Sequence, residues 1–287
     1  MTFLYRSSII VIMNRLDNAK RAQVVGCLAE GNSIRATVRM TGVAKNTVSK
    51  LLVELGEACS SFHDEHVRNV SAKRIQCDEI WSFCYNVTKE QKAKGAGSVW
   101  TWTAIDADTK LIVSYVCGGR DASFALEFMK DLALRVTTRI QITTDGHRAY
   151  AEAVEGALGI DVDYAMLIKV YGQPSTPETR YSPGEVIDTE TVRVMGTPDP
   201  RHISTSFVER QNLTIRMSMR RFTRLTNGFS KKIENHEAML AFYFAHYNFC
   251  RVHQTLRVTP AMEAGLTNHV WTIQELIALL DRAENSN

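Results

Sequence analysis

An acidic residue inside an apolar strand is costly unless it is paired or ligates a cation. Asp78 lies inside the β-forming run 74–84, and Asp145 follows directly on a second such run, 139–144. Glu209 begins a basic helix on which Asn212, Leu213, Arg216 and Arg220 share its face by three- and four-residue steps. A carboxylate facing a row of arginines makes sense if a metal and a phosphodiester lie between them. Three scattered carboxylates offer hard oxygen ligands, which suit Mg²⁺ or Mn²⁺ rather than zinc. Two such ions, about 3.5–4 Å apart, would activate a nucleophile and stabilise the leaving oxygen of an in-line displacement.

The N-terminal sixty residues read as helices. Ala22, Val25 and Leu28 recur at helical spacing within Asn18 to Ala29, and Ser33 can cap a short second helix from Ile34 to Met40. After Thr41, Gly42 and Val43 a third helix opens, with Val48, Leu51, Leu52 and Leu55 apolar. Two short helices joined by a Gly-containing turn match a helix-turn-helix unit. In that reading Lys45, Asn46, Thr47, Ser49 and Lys50 face base edges in the major groove, while Arg35 and Arg39 hold phosphates. The alternative is a plain three-helix bundle with an exposed polar face.

The middle of the chain is strand-like and then alternates. Runs 74–84, 98–105 and 111–117 form a meander in which Asp106 and Asp108 are turn residues. An amphipathic helix over 121–136, a strand over 139–144, a helix over 148–158 and a strand over 162–170 follow. Residues 172–200 hold five of the six prolines and read as an irregular insertion. The expected class is α/β, a mixed sheet with helices against it. Glu79 alternates with Asp78 and should point to the opposite face, as a structural or surface residue. His63 and His66, with no Cys or third His nearby, read as a solvated linker. His147 either contacts DNA or polarises a water, or it supplies a supporting hydrogen bond.

Length and composition set the bounds. At 287 residues, 45% hydrophobic and 23% charged, the chain is long enough for two or three small domains and is not of a disordered or low-complexity class. The apolar run Ile9 to Met13 is too short to span a bilayer and lacks a cleavage site, and Met13 is a second candidate start. Six cysteines in a chain this long do not make a disulfide framework, so a cytoplasmic setting is expected. Residues 1–60 carry a net +4, 61–200 a net −5, 201–260 a net +7 and the tail −3. Basic segments around an acidic middle favour a nucleic-acid partner.

Cys77, Asp78, Glu79, Ile80 and Trp81, then Thr144 to Tyr150, then Phe207 to Asn212 resemble the three catalytic blocks of bacterial insertion-sequence transposases of the DDE class. The wording is most similar to the insertion sequence one family. Arg216, seven residues past Glu209, matches a basic residue of those enzymes, and Tyr247, Asn248, Arg251 and His253 resemble the stretch closing many such cores. The resemblance, over roughly 74–265, implies a ribonuclease H-like mixed sheet flanked by helices. It also implies catalytic and metal-binding roles for Asp78, Asp145 and Glu209 with two Mg²⁺ ions, for which Mn²⁺ can substitute. DNA contacts at Arg216, Arg220 and Arg221, with support from His147 and Asn212, complete the expected site. The partners would be terminal inverted repeats and target DNA, with the chain a homodimer or higher oligomer on DNA, associated with the bacterial nucleoid.

Two features depart from that pattern: the zinc-binding N-terminus is absent, and the gap between Asp145 and Glu209 is longer than in integrases. The expected domains are a helix-turn-helix over 1–60, a linker over 61–73, a catalytic core over 74–225 and a C-terminal helical region over 226–287. The competing functions are a catalytically silent DNA-binding regulator and a ribonuclease H-like nuclease.

Overall fold

The computed structural model describes residues 16–84, 97–172, 184–224 and 226–285. The choice between Met1 and Met13 as the start lies outside them. Three helices come first: α1 (Asn18–Ala29), α2 (Ile34–Thr41) and α3 (Lys45–His66). Asp17 and Ser33 cap α1 and α2 with side-chain oxygens on backbone N–H groups, and Gly42 ends α2 in the left-handed conformation at φ 71°.

A six-stranded sheet follows, in the order β3-β2-β1-β4-β5-β6. Its strands are β1 (Arg74–Cys84), β2 (Gly97–Asp106), β3 (Ile112–Gly118), β4 (Ile140–Thr144), β5 (Val162–Tyr171) and β6 (Val186–Met195). β1 pairs antiparallel with β2 and parallel with β4, which pairs parallel with β5; β3 and β6 close the two edges antiparallel. The crossover helices α4 (Ala122–Arg135) and α5 (Ala149–Leu158) pack together, and α6 (Ser206–Ser218) lies against β1 and β2. After it come a 3₁₀ turn (Arg220–Phe222), α7 (Ile233–Ala245), a π turn (His246–Cys250), α8 (Pro260–Glu263) and α9 (Ile273–Asn285). The mixed α/β sheet read from the sequence is therefore present. No helix among the described residues is long and apolar enough to cross a membrane.

Three expectations are corrected. Residues 61–66 are the last turns of α3, not linker. His63 there is buried with Nε2 3.1 Å from the Val113 carbonyl, and burial holds the imidazole down at about 3. Arg135 of α4 donates to the carbonyls of His63 and Val67, which locks that end of α3 to the sheet layer. The stretch 172–200 is not wholly irregular, because it contains β6. As an edge strand β6 is exposed along nearly all its length, so it carries no buried alternation. The boundary at residue 60 is also no structural break: α3 packs on α7, α9 packs on α3 and α1, and one hydrophobic cluster runs from Val24 to Leu280.

The π turn explains one sequence block. Asn248 is buried, accepts from the Ile112 N–H at 3.0 Å and donates to the Ile112 carbonyl at 2.9 Å, so its amide completes the backbone bonding of β3.

The α3–α7 seam is tight at Gly56, where a β-carbon would come within 2.4 Å of Ala238 backbone atoms. Gly56→Val should therefore overpack the seam and lower stability by about 1–3 kcal/mol. Urea denaturation checks this; an unchanged midpoint would contradict the close approach.

Candidate active site

The sheet register sets the first two carboxylates side by side. Gln76 of β1 pairs with Thr143 of β4 in parallel register, so two residues further on Asp78 lies beside Asp145, just where β4 ends at Thr144. By the two-residue period Gln76 and Asp78 share one face of β1. The Gln76 side-chain oxygen accepts from the N–H groups of Phe207 at 2.8 Å and Val208 at 3.2 Å, two donors that the first turn of α6 leaves unpaired. Pinned there, α6 carries Asn212 to Asp78, where Nδ2 donates to Oδ2 at 2.8 Å. The Glu79 N–H donates to Asp78 Oδ1 at 2.8 Å. Glu209, nearly one turn before Asn212, accepts from Lys169 Nζ at 2.5 Å and from the Thr205 hydroxyl.

Glu79 is buried on the opposite face, not at the surface. Arg120 Nε donates to its Oε1 at 2.6 Å and the Tyr150 hydroxyl to its Oε2 at 2.9 Å. Arg120 also stands 4.0 Å from Asp145 Oδ2, so one guanidinium serves two carboxylates. His147 gives its N–H to Asp145 Oδ1 at 2.9 Å, and its Nδ1 accepts from the Ala149 N–H at 3.2 Å. That contact leaves the ring proton on Nε2, 3.8 Å from Glu79. Of the roles open to His147, the supporting hydrogen bond is the one these contacts favour.

Negative charge is crowded at this point of the sheet. Burial raises the Asp78 carboxyl to about 7, with repulsion from Glu79, Asp145 and Glu209 adding to it. Burial likewise raises Glu79, with Asp145 adding to the shift and Arg120 and Tyr150 opposing it. Arg216 is half-buried and pushed down to about 10 by burial and by neighbouring Arg224, while Asp78 opposes the shift.

The other expected contacts divide into two groups. Lys45, Asn46, Thr47 and Lys50 are exposed at the start of α3 with Ser49 half-buried beside them, and Arg35 and Arg39 are exposed on α2. The basic helix is shorter than expected: α6 ends at Ser218, and Arg220 lies exposed in the 3₁₀ turn rather than on the Glu209 face. Arg221 is not a free surface cation either, since it is largely enclosed and donates to Ser230 Oγ at 2.6 Å. Besides Gln76 and Thr205, two charged residues of the site were not singled out from sequence, Arg120 and Lys169. A lysine within the mainly apolar run 164–170 was the available signal for the second.

The donor set fits a hard divalent cation. All three acids offer carboxylate oxygen, and Asn212 Oδ1 is buried beside Asp78 with no hydrogen-bond partner, an acceptor awaiting a donor or a cation. Among the described residues no three His, Cys, Asp or Glu side chains are yet gathered tightly enough to hold one ion. Glu209 would have to exchange Lys169 for the metal.

No protein-family profile matches the chain, and no curated protein sequence matches it. Among solved structures it is similar to a piggyBac transposase synaptic complex with hairpin DNA, at 10% identity over 92% of this chain and 69% of that one, with a TM-score of 0.43. It is also similar to the Mos1 strand transfer complex, at 11% identity over 95% and 79% of the two chains, with a TM-score of 0.36.

The Asp78 carboxyl has a measurable consequence in metal-free protein. Its folded value of about 7 lies above the ordinary 3.8, so across that window the folded chain holds a proton that the unfolded chain has lost. This site's contribution to stability is thus full below about 4 and is lost as pH rises toward 7. Asp78→Asn should melt several degrees above wild type at pH 8 in EDTA and level with it at pH 4. Parallel pH profiles for the two proteins would refute the crowded-charge account.

Proposed function

We propose that this chain is a DNA transposase of the DDE class, acting by metal-dependent phosphoryl transfer with Asp78, Asp145 and Glu209 as the metal-binding acids. The observation that carries this reading is the juxtaposition of Asp78 and Asp145 on adjacent parallel strands, with α6 bringing Glu209, Asn212 and Arg216 over the same face. The blocks around those acids are the ones that resemble the insertion-sequence transposases, and the sheet order agrees with the ribonuclease H-like core which that resemblance implies.

Each part of the chain has a task in this reaction. Arg216 and exposed Arg220 hold the strand by its phosphates near the acids. The exposed start of α3 reads the terminal repeats, and Arg35 and Arg39 fix its register. Asp78, Asp145 and Glu209 would hold two Mg²⁺ ions, which when bound polarise the scissile phosphate and lower the barrier to its attack. Asn212 fixes the orientation of the Asp78 carboxylate, and the N–H of His147 fixes that of Asp145. In the first step water attacks phosphorus, the bond from phosphorus to the 3′ oxygen breaks, and that oxygen leaves as the free 3′-hydroxyl. In the second, this hydroxyl attacks a target phosphate, loses its proton to solvent and displaces the target's own 3′ oxygen, so one phosphodiester replaces another. Two ends must meet, so a homodimer or higher oligomer on DNA is the working form.

Strand transfer on labelled DNA bearing the ends of the flanking element tests this. Wild type should yield joined products in Mg²⁺ and Mn²⁺ and none in EDTA. Asp145→Asn and Glu209→Gln should each lose more than the 10–100-fold typical of residues that only support a metal ligand. Specific binding without cutting would establish the regulator instead, and cutting without joining the nuclease.

A further inference from the structure

Beyond Asp78, β1 loses its neighbour on one side because β4 stops at Thr144. The chain that fills this place is the 3₁₀ turn and the segment after it, which returns to β1 at a bridge between Cys84 and Ser230. The fit is incomplete, and a cavity of about 390 Å³ remains. It lies within the size range of small-ligand sites.

Its lining is chemically one-sided. Four aromatic rings (Trp81, Phe83, Phe222 and Phe229) meet two guanidiniums, Arg221 and Arg224, with the hydroxyls or amide of Ser82, Thr223, Thr226 and Asn227 between them. No carboxylate among the described residues lines it. Phe83 and Phe229 stand edge to face at 5.1 Å, and Phe83 is 37% exposed. The Trp81 indole N–H is held by Ser98 Oγ at 3.2 Å, which fixes the ring. Arg224 is exposed and makes no ion pair among the described residues, and its charged neighbour is another arginine, Arg216. Rings beside an exposed arginine, Arg224, that has no counter-ion among the described residues are complementary to a planar base carrying a phosphate.

The position of the cavity narrows its occupant. Arg216 of α6 donates to the carbonyl of Phe222 in the cavity wall at 3.4 Å and also interacts with the charge of Asp78, so it links the acids to the cavity. Trp81 is three residues beyond Asp78, about 10 Å along an extended strand, and with Phe83 it leaves β1 on the Glu79 face, so the cavity lies past the end of β4 and not over the three acids. We infer that this cavity binds one unpaired nucleotide of the DNA strand, beyond the reaction centre along β1. Its base stacks on Trp81 beside the edge-to-face pair of Phe83 and Phe229, the latter already under the Lys231 ammonium, and its phosphate is held by Arg224. A base inside a duplex cannot enter, so the cavity distinguishes unpaired from paired strands near the reaction centre. This inference rests on the transposase reading for its place in the reaction, but not for the binding itself.

Fluorescence anisotropy with a labelled 12-nucleotide single strand, and with the matching duplex, tests it without any strand chemistry. Wild type should bind the single strand with an affinity that Trp81→Ala lowers about tenfold or more, the loss expected for one stacked base. Arg224→Gln, at an exposed position where folding is not at risk, should weaken the same complex and lessen its salt dependence. Duplex affinity should be nearly unchanged in Trp81→Ala. A 2-aminopurine placed in the single strand should be quenched by wild type and not by Trp81→Ala. Equal single-strand affinity in wild type and Arg224→Gln, with quenching retained in Trp81→Ala, would overturn the inference. Loss of strand transfer in wild type alongside Trp81-dependent quenching would defeat the transposase reading and leave the nucleotide site standing.

Discussion

Buried negative charge at the centre of β1 is the constraint around which this molecule is arranged. Asp78 and Glu79 are consecutive residues of a central strand, so their side chains leave it in opposite directions and each must be accommodated by a different layer. On one face Arg120 and Tyr150 satisfy Glu79; on the other Asn212 satisfies a single oxygen of Asp78. The first arrangement brings a cation to its acid, and the second does not. The uncompensated charge therefore collects on the α6 face, beside Asp145 and within range of Glu209. That asymmetry is what makes one face of the sheet a candidate reaction centre and the other a support for it.

Arg120 and Lys169 do related work from opposite sides. Arg120, immediately before α4, shares its charge between Glu79 and Asp145, while Lys169 of β5 occupies Glu209. Both acids flanking Asp78 thus have a protein cation within reach, and Asp78 has none in hydrogen-bond contact among the described residues. Lys169 holds Glu209 by a part-exposed pair, a contact of modest strength that a divalent ion can displace. The crossover that carries α5 back to the sheet keeps His147 and Tyr150 within one turn of each other, so the support for Asp145 and for Glu79 comes from one short segment.

Most of the sheet was legible in sequence because its strands and crossover helices carry strong periodicity, and an acid inside an apolar run marks itself. The parts that were not legible depend on contacts distant in sequence. β6 carries almost no buried side chains, so nothing in its residues distinguishes it from the proline-rich stretch around it. The end of α3 looks polar in sequence, and His63 is buried only because Val113, fifty residues on, accepts it. Lys169 and Glu209 meet across forty residues, and Glu79 and Arg120 across forty-one. Arg221 could not be separated from its exposed neighbours until the chain after it folded back to place Ser230 against it.

The unbroken course of α3 has a mechanical meaning. Twenty-two residues of continuous helix join Lys45 at one end to the His63 and Arg135 clamp at the other. At 1.5 Å per residue that is a rod of about 33 Å, close to one turn of B-form DNA. The exposed start of such a rod cannot swing freely relative to the carboxylates. In the proposed function, the distance from the bases read at Lys45 to the phosphate held at the acids would then be set by the length of the helix, as on a ruler. An insertion of one or two residues in α3 would also rotate the reading face by about 100° per residue, changing phase as well as distance.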